Sequence, residues 1–391
     1  MDISLYFEPV SLDGYDFSKP TDKNRLGNLT KIYHENSPFP GLEGIKMVII
    51  GVMEGRGALE NQGCETGPNQ VRDVLYSMYS HWGNLKLADL GNIKKGHSRE
   101  DTYFAVKEAV AFLLSQNIVP IIIGGGQDIT YANYLAYEHI GKVINIAAID
   151  PQFDIGHDEH ELNSRSYISR IILHQPNFLF NFTNIGYQSY SVDLEAVSLM
   201  KNLFFDVERL GVVRKGMEET EPMVRNADIV SFDLSAVRYG DSPGCFYAGP
   251  NGFSGDEICR ISRYAGLSDK LSSVGFYEYN PKLDTRGQSA QLLAQMVWYF
   301  IDGFMNRKGD HPEKSQDNYV KYIVNLDAVN EELVFLKSKK SDRWWMLVNF
   351  KNKVNKKYRR HQFVPCSYND YMTALNHEIP ERWWKLQQKV I

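Results

Sequence analysis

Six short apolar runs constrain this chain more than anything else in it. They fall at residues 46–52, 118–123, 143–149, 182–187, 228–234 and 270–279. Between them lie stretches such as 101–115 and 287–304, whose apolar residues repeat with the period of a helix. Short buried runs alternating with amphipathic helices predict a parallel sheet covered on both faces. The expected class is therefore α/β, a three-layer α/β/α sandwich with a mainly parallel sheet. No Gly- or Ser-rich linker divides the run of alternating elements. Open sheets of this kind place their ligands outside the carboxyl ends of the strands, so residues just after each run are the first candidates for chemistry.

Composition narrows the class. A chain of 391 residues with 43% hydrophobic and 23% charged content is built like a soluble globular protein. A net charge of −5 gives no general attraction to nucleic acid or anionic membranes. The start, Met1 to Glu8, has neither a basic n-region nor an apolar h-region, and no run nears the roughly 18 apolar residues of a membrane span. Cys64, Cys245, Cys259 and Cys366 are scattered without metal-type pairing, so reduced thiols and a cytoplasmic location are expected. Three regions are expected: 1–45 packing on the core, 46–308 as the α/β domain, and 309–391 as an extension. That extension holds four of the six tryptophans, as Trp344-Trp345 and Trp383-Trp384. Lys351, Lys353, Lys356, Lys357, Arg359 and Arg360 form a basic run within it. The run reads as a solvated face. The tryptophans either clamp the extension to the core or offer a surface to a protein partner.

The richest strand end is Asp150-Pro151-Gln152-Phe153-Asp154, which follows the third run. Its two carboxylates, four residues apart, sit in the kind of loop where open α/β sheets place their ligands. Gly124-Gly125-Gly126 lacks the lysine and serine of a phosphate loop and reads as a tight strand-to-helix turn. His157 and His160 follow Asp154 closely but have no partner at ligand spacing, so they read as a solvated loop.

Several segments, taken in order, resemble the arginase/ureohydrolase family, and its formimidoylglutamase branch most of all. They are Gly55-Arg56-Gly57-Ala58 with Gly67-Pro68-Asn69-Gln70-Val71-Arg72, Ile121 to Asp128, Asp150 to Asp154, Asn181 to Gln188, Ser231-Phe232-Asp233-Leu234-Ser235, and Gly275 to Pro281 with Asp284. The resemblance implies the arginase-like fold and a site for two manganese ions held by two histidines and four aspartates. Carried over by position, those ligands fall on Gln127, Asp150, Gln152, Asp154, Asp233 and Ser235. Both imidazoles have become amides and one carboxylate a hydroxyl, and these are poorer manganese donors. Gln127, Asp150, Asp154 and Asp233 would surround one ion, where one hard cation in an oxygen shell is chemically reasonable. The other ion keeps only its bridging groups.

The resemblance places a substrate loop at Asn163, Ser164, Arg165, Ser166 and Tyr167, and Glu278 at the substrate-guanidinium or catalytic position. Arg165 and Tyr167 stand where the family has glycine and proline, which adds bulk and charge. Without an ion, crowded aspartates need a counter-charge, so Arg165 or Arg238 is expected to reach them by a bidentate contact.

The leading expectation is a catalytically degenerate ureohydrolase-fold protein that acts in binding or assembly. It would carry no metal or one divalent cation (Mn or Mg). The alternative is a manganese-dependent amidinohydrolase that releases formamide or urea from an amidine or guanidino substrate, with two Mn ions and Glu278 in catalysis. A small-molecule sensor using the same cleft is a third reading. The family implies a homo-oligomer. Whether Asp128 turns in as a substitute ligand is left open.

Overall fold

The strands form where apolar side chains are dense enough to be buried on both faces. In the computed structural model, residues 2–11, 22–156, 161–313, 317–326, 331–350 and 356–390 are described. The strands of the main sheet are β1 (Phe7–Glu8), β2 (Lys31–Ile32), β3 (Met47–Val52), β4 (Leu87–Ile93), β5 (Val119–Ile123), β6 (Ile144–Ile149), β7 (Leu179–Tyr187), β8 (Asp206–Arg209), β9 (Ile229–Asp233) and β10 (Ser273–Tyr277). Their order is β1-β4-β3-β5-β10-β9-β6-β7-β8, with β2 beside β4. Every pairing is parallel except β1 with β4. The central strands β3, β5, β6, β9 and β10 are buried throughout. Each fully buried Ile or Val there contributes roughly 2 kcal/mol through burial.

All six expected runs are strands, with ends trimmed by one to three residues or, at β7, extended toward Leu179. Strand β4 was not foreseen, because Asp89 and Asn92 interrupt its apolar pattern. Arg72, from the helix Gly67–Ser77, resolves that conflict. Its guanidinium donates to both Asp89 oxygens at 2.8 and 2.9 Å and to Asn92 Oδ1 at 2.7 Å, and Tyr76 donates to Asp89 at 2.6 Å. A buried polar strand is tolerated when each group has a partner.

The extension forms a second, antiparallel sheet. Its strands are β11 (Tyr319–Leu326), β12 (Glu331–Ser338), β13 (Trp344–Leu347) and β14 (Phe363–Cys366), paired in that order. The helices Tyr368–Leu375 and Glu381–Val390 follow. Arg225 of the main domain fixes it, with its guanidinium 4.3 Å from the Trp345 ring and donating to the Trp344 and Cys366 carbonyls at 3.1 and 3.2 Å. Trp344, Trp345 and Trp383 are buried, while Trp384 is 44% exposed and meets Phe204 edge-on. Of the two alternatives for the tryptophans, three side chains take the clamp, their aromatic area being spent on internal packing.

The solvated basic face needs a correction too. Arg360 turns inward and forks onto Asp228, with Nη2 to Oδ1 at 2.6 Å and Nη1 to Oδ2 at 3.1 Å. Asp228 immediately precedes β9, so the extension docks at the amino end of the central strands. Arg359 is exposed, and Lys351 and Lys353 lie outside the described residues. Among the described residues, no helix is long and apolar enough to cross a membrane.

Candidate active site

Four adjacent central strands, β5, β10, β9 and β6, end together, and the candidate residues follow from their carboxyl ends. After β5 the chain turns through Gly124 and Gly125, both with positive φ (88° and 73°). A Cβ at Gly125 would come within 2.7 Å of the Glu54 carbonyl, so this turn requires glycine. The turn delivers Gln127 to the start of the helix Ile129–His139. Asp150 follows β6, Asp233 closes β9, and Glu278 follows β10. Asp154 and Glu278 both hold left-handed backbone, at φ 48° and 68°. Such strain costs about 1–3 kcal/mol per residue and concentrates at functional sites.

Asp150, Asp154 and Asp233 come together, with one carboxylate oxygen from each lying within 4.8 Å of the others. All three are buried, at 1%, 7% and 9% exposure. Asp150 Oδ1 accepts the Gln152 N–H at 2.7 Å, and Asp233 Oδ1 accepts the Ser235 N–H at 2.6 Å. Among the described residues, Asp150 Oδ2 and Asp154 Oδ2 have no hydrogen-bond partner. Burial raises the Asp150 carboxyl. Burial and then the charge of Asp150 push Asp154 well above the usual carboxylate range. Burial and Asp150 raise Asp233 as well. Crowded carboxylates with donor-free oxygens need either shared protons or a cation.

The amides and the hydroxyl have taken distinct positions. The Gln127 amide lies beside Asp150 and donates to Ser231 Oγ at 3.3 Å, while its Oε1 is buried without a partner. Turning that amide over would present oxygen instead of nitrogen. Gln152 Oε1 accepts from the Arg165 guanidinium. Ser235 lines the same hollow, of about 10 Å³, with Asp150, Gln152, Asp154, Arg165, Asp233, Tyr247 and Glu278. Glu278 is pinned from both sides, with Oε1 accepting the Gln127 N–H at 2.8 Å and Oε2 accepting Asn61 Nδ2 at 2.7 Å. Burial, reinforced by Asp233, raises its carboxyl well above the usual range.

The counter-charge comes from Arg165, which sits 3.9 Å over the Tyr247 ring. Burial opposes its charge, but Asp154, Asp233 and Asp150 outweigh that and hold the guanidinium ionised. The expected bidentate contact with a carboxylate is corrected, because the guanidinium donates to the Gln152 amide. Arg238 points outward at 47% side-chain exposure and pairs with Asp241 at 3.0 Å. Asn163 serves the loop and not the hollow, its Oδ1 capping the Arg165 N–H at 2.8 Å. Tyr167 is fully buried at the start of the helix Tyr167–Leu173, and its hydroxyl, near Ser231 and the three aspartates, makes no hydrogen bond. Asp128 does not turn in as a ligand. It accepts from Tyr103 and packs against Gly57 and Gly126. His157 and His160 lie outside the described residues.

Sequence reading missed Tyr247, Ser231 and Asn61. Asn61 and Ser231 lie within or beside segments that carry the family resemblance. Nothing near Tyr247 signals that it stacks on an arginine.

The donor set fits one cation and not two. One position has three carboxylates, two orphaned carboxylate oxygens and the Gln127 amide, an oxygen-rich shell suited to Mn or Mg. The other keeps Asp150 and Asp233 but offers only the Ser235 hydroxyl and a Gln152 oxygen already taken by Arg165.

Comparison with known proteins agrees with the fold described above. A sequence model of the arginase family matches residues 45–302. Formimidoylglutamase of Photorhabdus laumondii is 24% identical over 269 residues, covering 64% of this chain and 84% of the relative. That of Streptococcus gordonii is 24% identical over 297 residues, covering 70% and 90%. Among solved structures, Trypanosoma cruzi formiminoglutamase with Mn2+2 aligns with a TM-score of 0.65 at 21% identity, covering 73% of this chain and 100% of that one. Bacillus subtilis formimidoylglutamase aligns with a TM-score of 0.66 at 19% identity, covering 76% and 97%. These structures share the fold.

Proposed function

This chain belongs to the arginase family, and from that premise we propose that it is a cation-dependent C–N hydrolase of the formimidoylglutamase type, acting on an amidine. The observation that carries the reading is the buried trio Asp150, Asp154 and Asp233, whose donor-free oxygens converge at the end of the central strands. The names of the relatives support hydrolysis over a degenerate role. Asp150, Asp154 and Asp233 would hold one ion, with Gln127 turned to offer its amide oxygen. Bound there, a hard divalent cation supplies an activated water at neutral pH and charge stabilisation.

The remaining work falls to the chain's own groups. Glu278 is held in one orientation by Gln127 and Asn61, and its raised affinity for a proton suits it to protonate a departing nitrogen. Phe153, Ile155, Val192, Ala196 and Leu199 give the adjoining cleft one apolar side. That cleft, of about 650 Å³, is large enough for a small organic substrate.

The test is release of formamide and glutamate from N-formimidoyl-L-glutamate by the full chain supplied with Mn2+ or Mg2+. Turnover is expected to stop with a chelator and in Asp233→Asn. No product from cation-loaded protein would overturn the reading.

A second reading, a degenerate family member retained for binding or assembly, has one specific observation in its favour. Arg165 and Gln152 together close the hollow over the carboxylates. Under that reading the cleft binds a ligand without chemistry, and the same assay shows binding with no formamide.

A further inference from the structure

Two spaces meet at three shared side chains. Gln152, Asp154 and Arg165 line the inner hollow around the carboxylates, and the same three line the outer cleft of about 650 Å³. The Arg165 guanidinium, hydrogen-bonded to Gln152 Oε1 and stacked 3.9 Å over Tyr247, is thus part of the wall between them. Its hold is built from several directions. The Arg165 N–H is capped by Asn163 at 2.8 Å, Ser164 N–H reaches the Gly57 carbonyl at 2.9 Å, and the Gln152 carbonyl accepts Asn184 Nδ2 at 2.6 Å. Tyr247 itself is anchored through its hydroxyl to Glu60.

We propose that Arg165 is a built-in cation that takes over part of the charge a second metal ion would carry at the acid cluster, so that a single exchangeable divalent cation binds there against its repulsion. This rests on reading the acid cluster as a cation site. The charge count supports it, since Asp150, Asp154, Asp233 and Glu278 line the hollow with one guanidinium. The donor count supports it too, because Gln152, at the position of a lost ligand, has its oxygen committed to Arg165. A cation arriving at the cluster meets the repulsion of the guanidinium, which its hydrogen bond to Gln152 holds beside the carboxylates. Removing that fixed charge raises affinity at the cluster, because repulsion between like charges a few ångströms apart is strong away from bulk water.

Manganese binding to the full chain, read by equilibrium dialysis with metal analysis and by calorimetry, tests the proposal. The natural chain is expected to hold one Mn2+. Arg165→Met is expected to bind Mn2+ at least about tenfold more tightly, whereas Arg165→Lys, which keeps the charge, stays close to the natural chain. Should Arg165→Met fail to fold, Arg165→Gln gives the same neutral comparison. Unchanged affinity in the folded neutral variant overturns the proposal, as do two Mn2+ in the natural chain or none in either protein. Formamide release separates this inference from the hydrolase reading. Tighter binding without release leaves the built-in cation standing and removes the hydrolase, while release with unchanged affinity does the reverse.

Discussion

Strand β9 has a buried aspartate at each end, and the two are solvated by opposite means. At its amino end Asp228 is surrounded by cations. Arg360 forks onto it, Lys142 reaches it at 3.2 Å, Lys270 lies close by, and the Asn145 N–H donates at 3.0 Å. Burial works against its ionisation, but Arg360, Lys142 and Lys270 outweigh that and hold the carboxyl far below the usual range. At the carboxyl end Asp233 joins Asp150 and Asp154, and Arg165 is the cation that lines their hollow. One end has more cations than carboxylates and the other more carboxylates than cations. The first is finished as structure. The second is left incomplete, which suits a site awaiting a positively charged ligand.

The contrast is broken most severely from the amino end. Asp228→Asn leaves Arg360, Lys142 and Lys270 without their anion. It is expected to cost about 3–5 kcal/mol in urea unfolding, because a buried pair loses one partner. An effect under about 1 kcal/mol would mean that this cluster is not buried charge in solution.

At the other end the sign reverses. Asp154→Asn removes one of three mutually repelling carboxylates, so the cation-free chain should gain about 1–2 kcal/mol at neutral pH. It should also lose manganese binding. Loss of stability instead would show that Asp154 is already neutralised by a partner.

The pH dependence sharpens the same contrast. At the acid cluster the folded carboxyls are raised, so the folded chain keeps protons that the unfolded chain releases. Stability without metal should fall as pH climbs from about 4 toward those raised values, and saturating Mn2+ should flatten the fall. Asp228 is depressed, so its contribution is complete above about pH 4 and is lost as pH drops below it. Lys270 is brought down from 10.5 to about 7 by burial, against the pull of Asp228. Its buried charge is therefore a burden that lifts as pH rises from about 7 toward 10.5, and stability should rise there. Lys270→Met should abolish that rise, as followed by thermal melting across the range.

The smallest effect is expected at Trp384. It is 44% exposed and touches Phe204 at one edge. Trp384→Ala should cost under about 1 kcal/mol, against about 3–5 kcal/mol for Trp345→Ala in the packed interior.

The sequence carried the α/β alternation because the central strands are buried on both faces and so read as unbroken apolar runs. Strand β4 was hidden because Asp89 and Asn92 are satisfied by Arg72, a partner 17 and 20 residues away that only the fold brings near. The acid trio was legible through strand-end position and family resemblance, two local signals. The direction in which a long side chain turns was not. Arg360 read as a solvated cation and became a buried counter-ion. Arg165 was one of two arginines foreseen as the counter-charge, yet its stacking on Tyr247 depends on a loop 82 residues further along. Three of the four tail tryptophans turned inward because a four-stranded sheet with two helices needs a core of its own.

Crystals of the full chain soaked in Mn2+ and measured at the manganese absorption edge test the central claim most directly. One anomalous peak is expected among the oxygens of Asp150, Asp154 and Asp233, with the Gln127 amide oxygen turned toward it. No peak there under saturating manganese, with the Arg165 guanidinium still closing the hollow, would contradict the account.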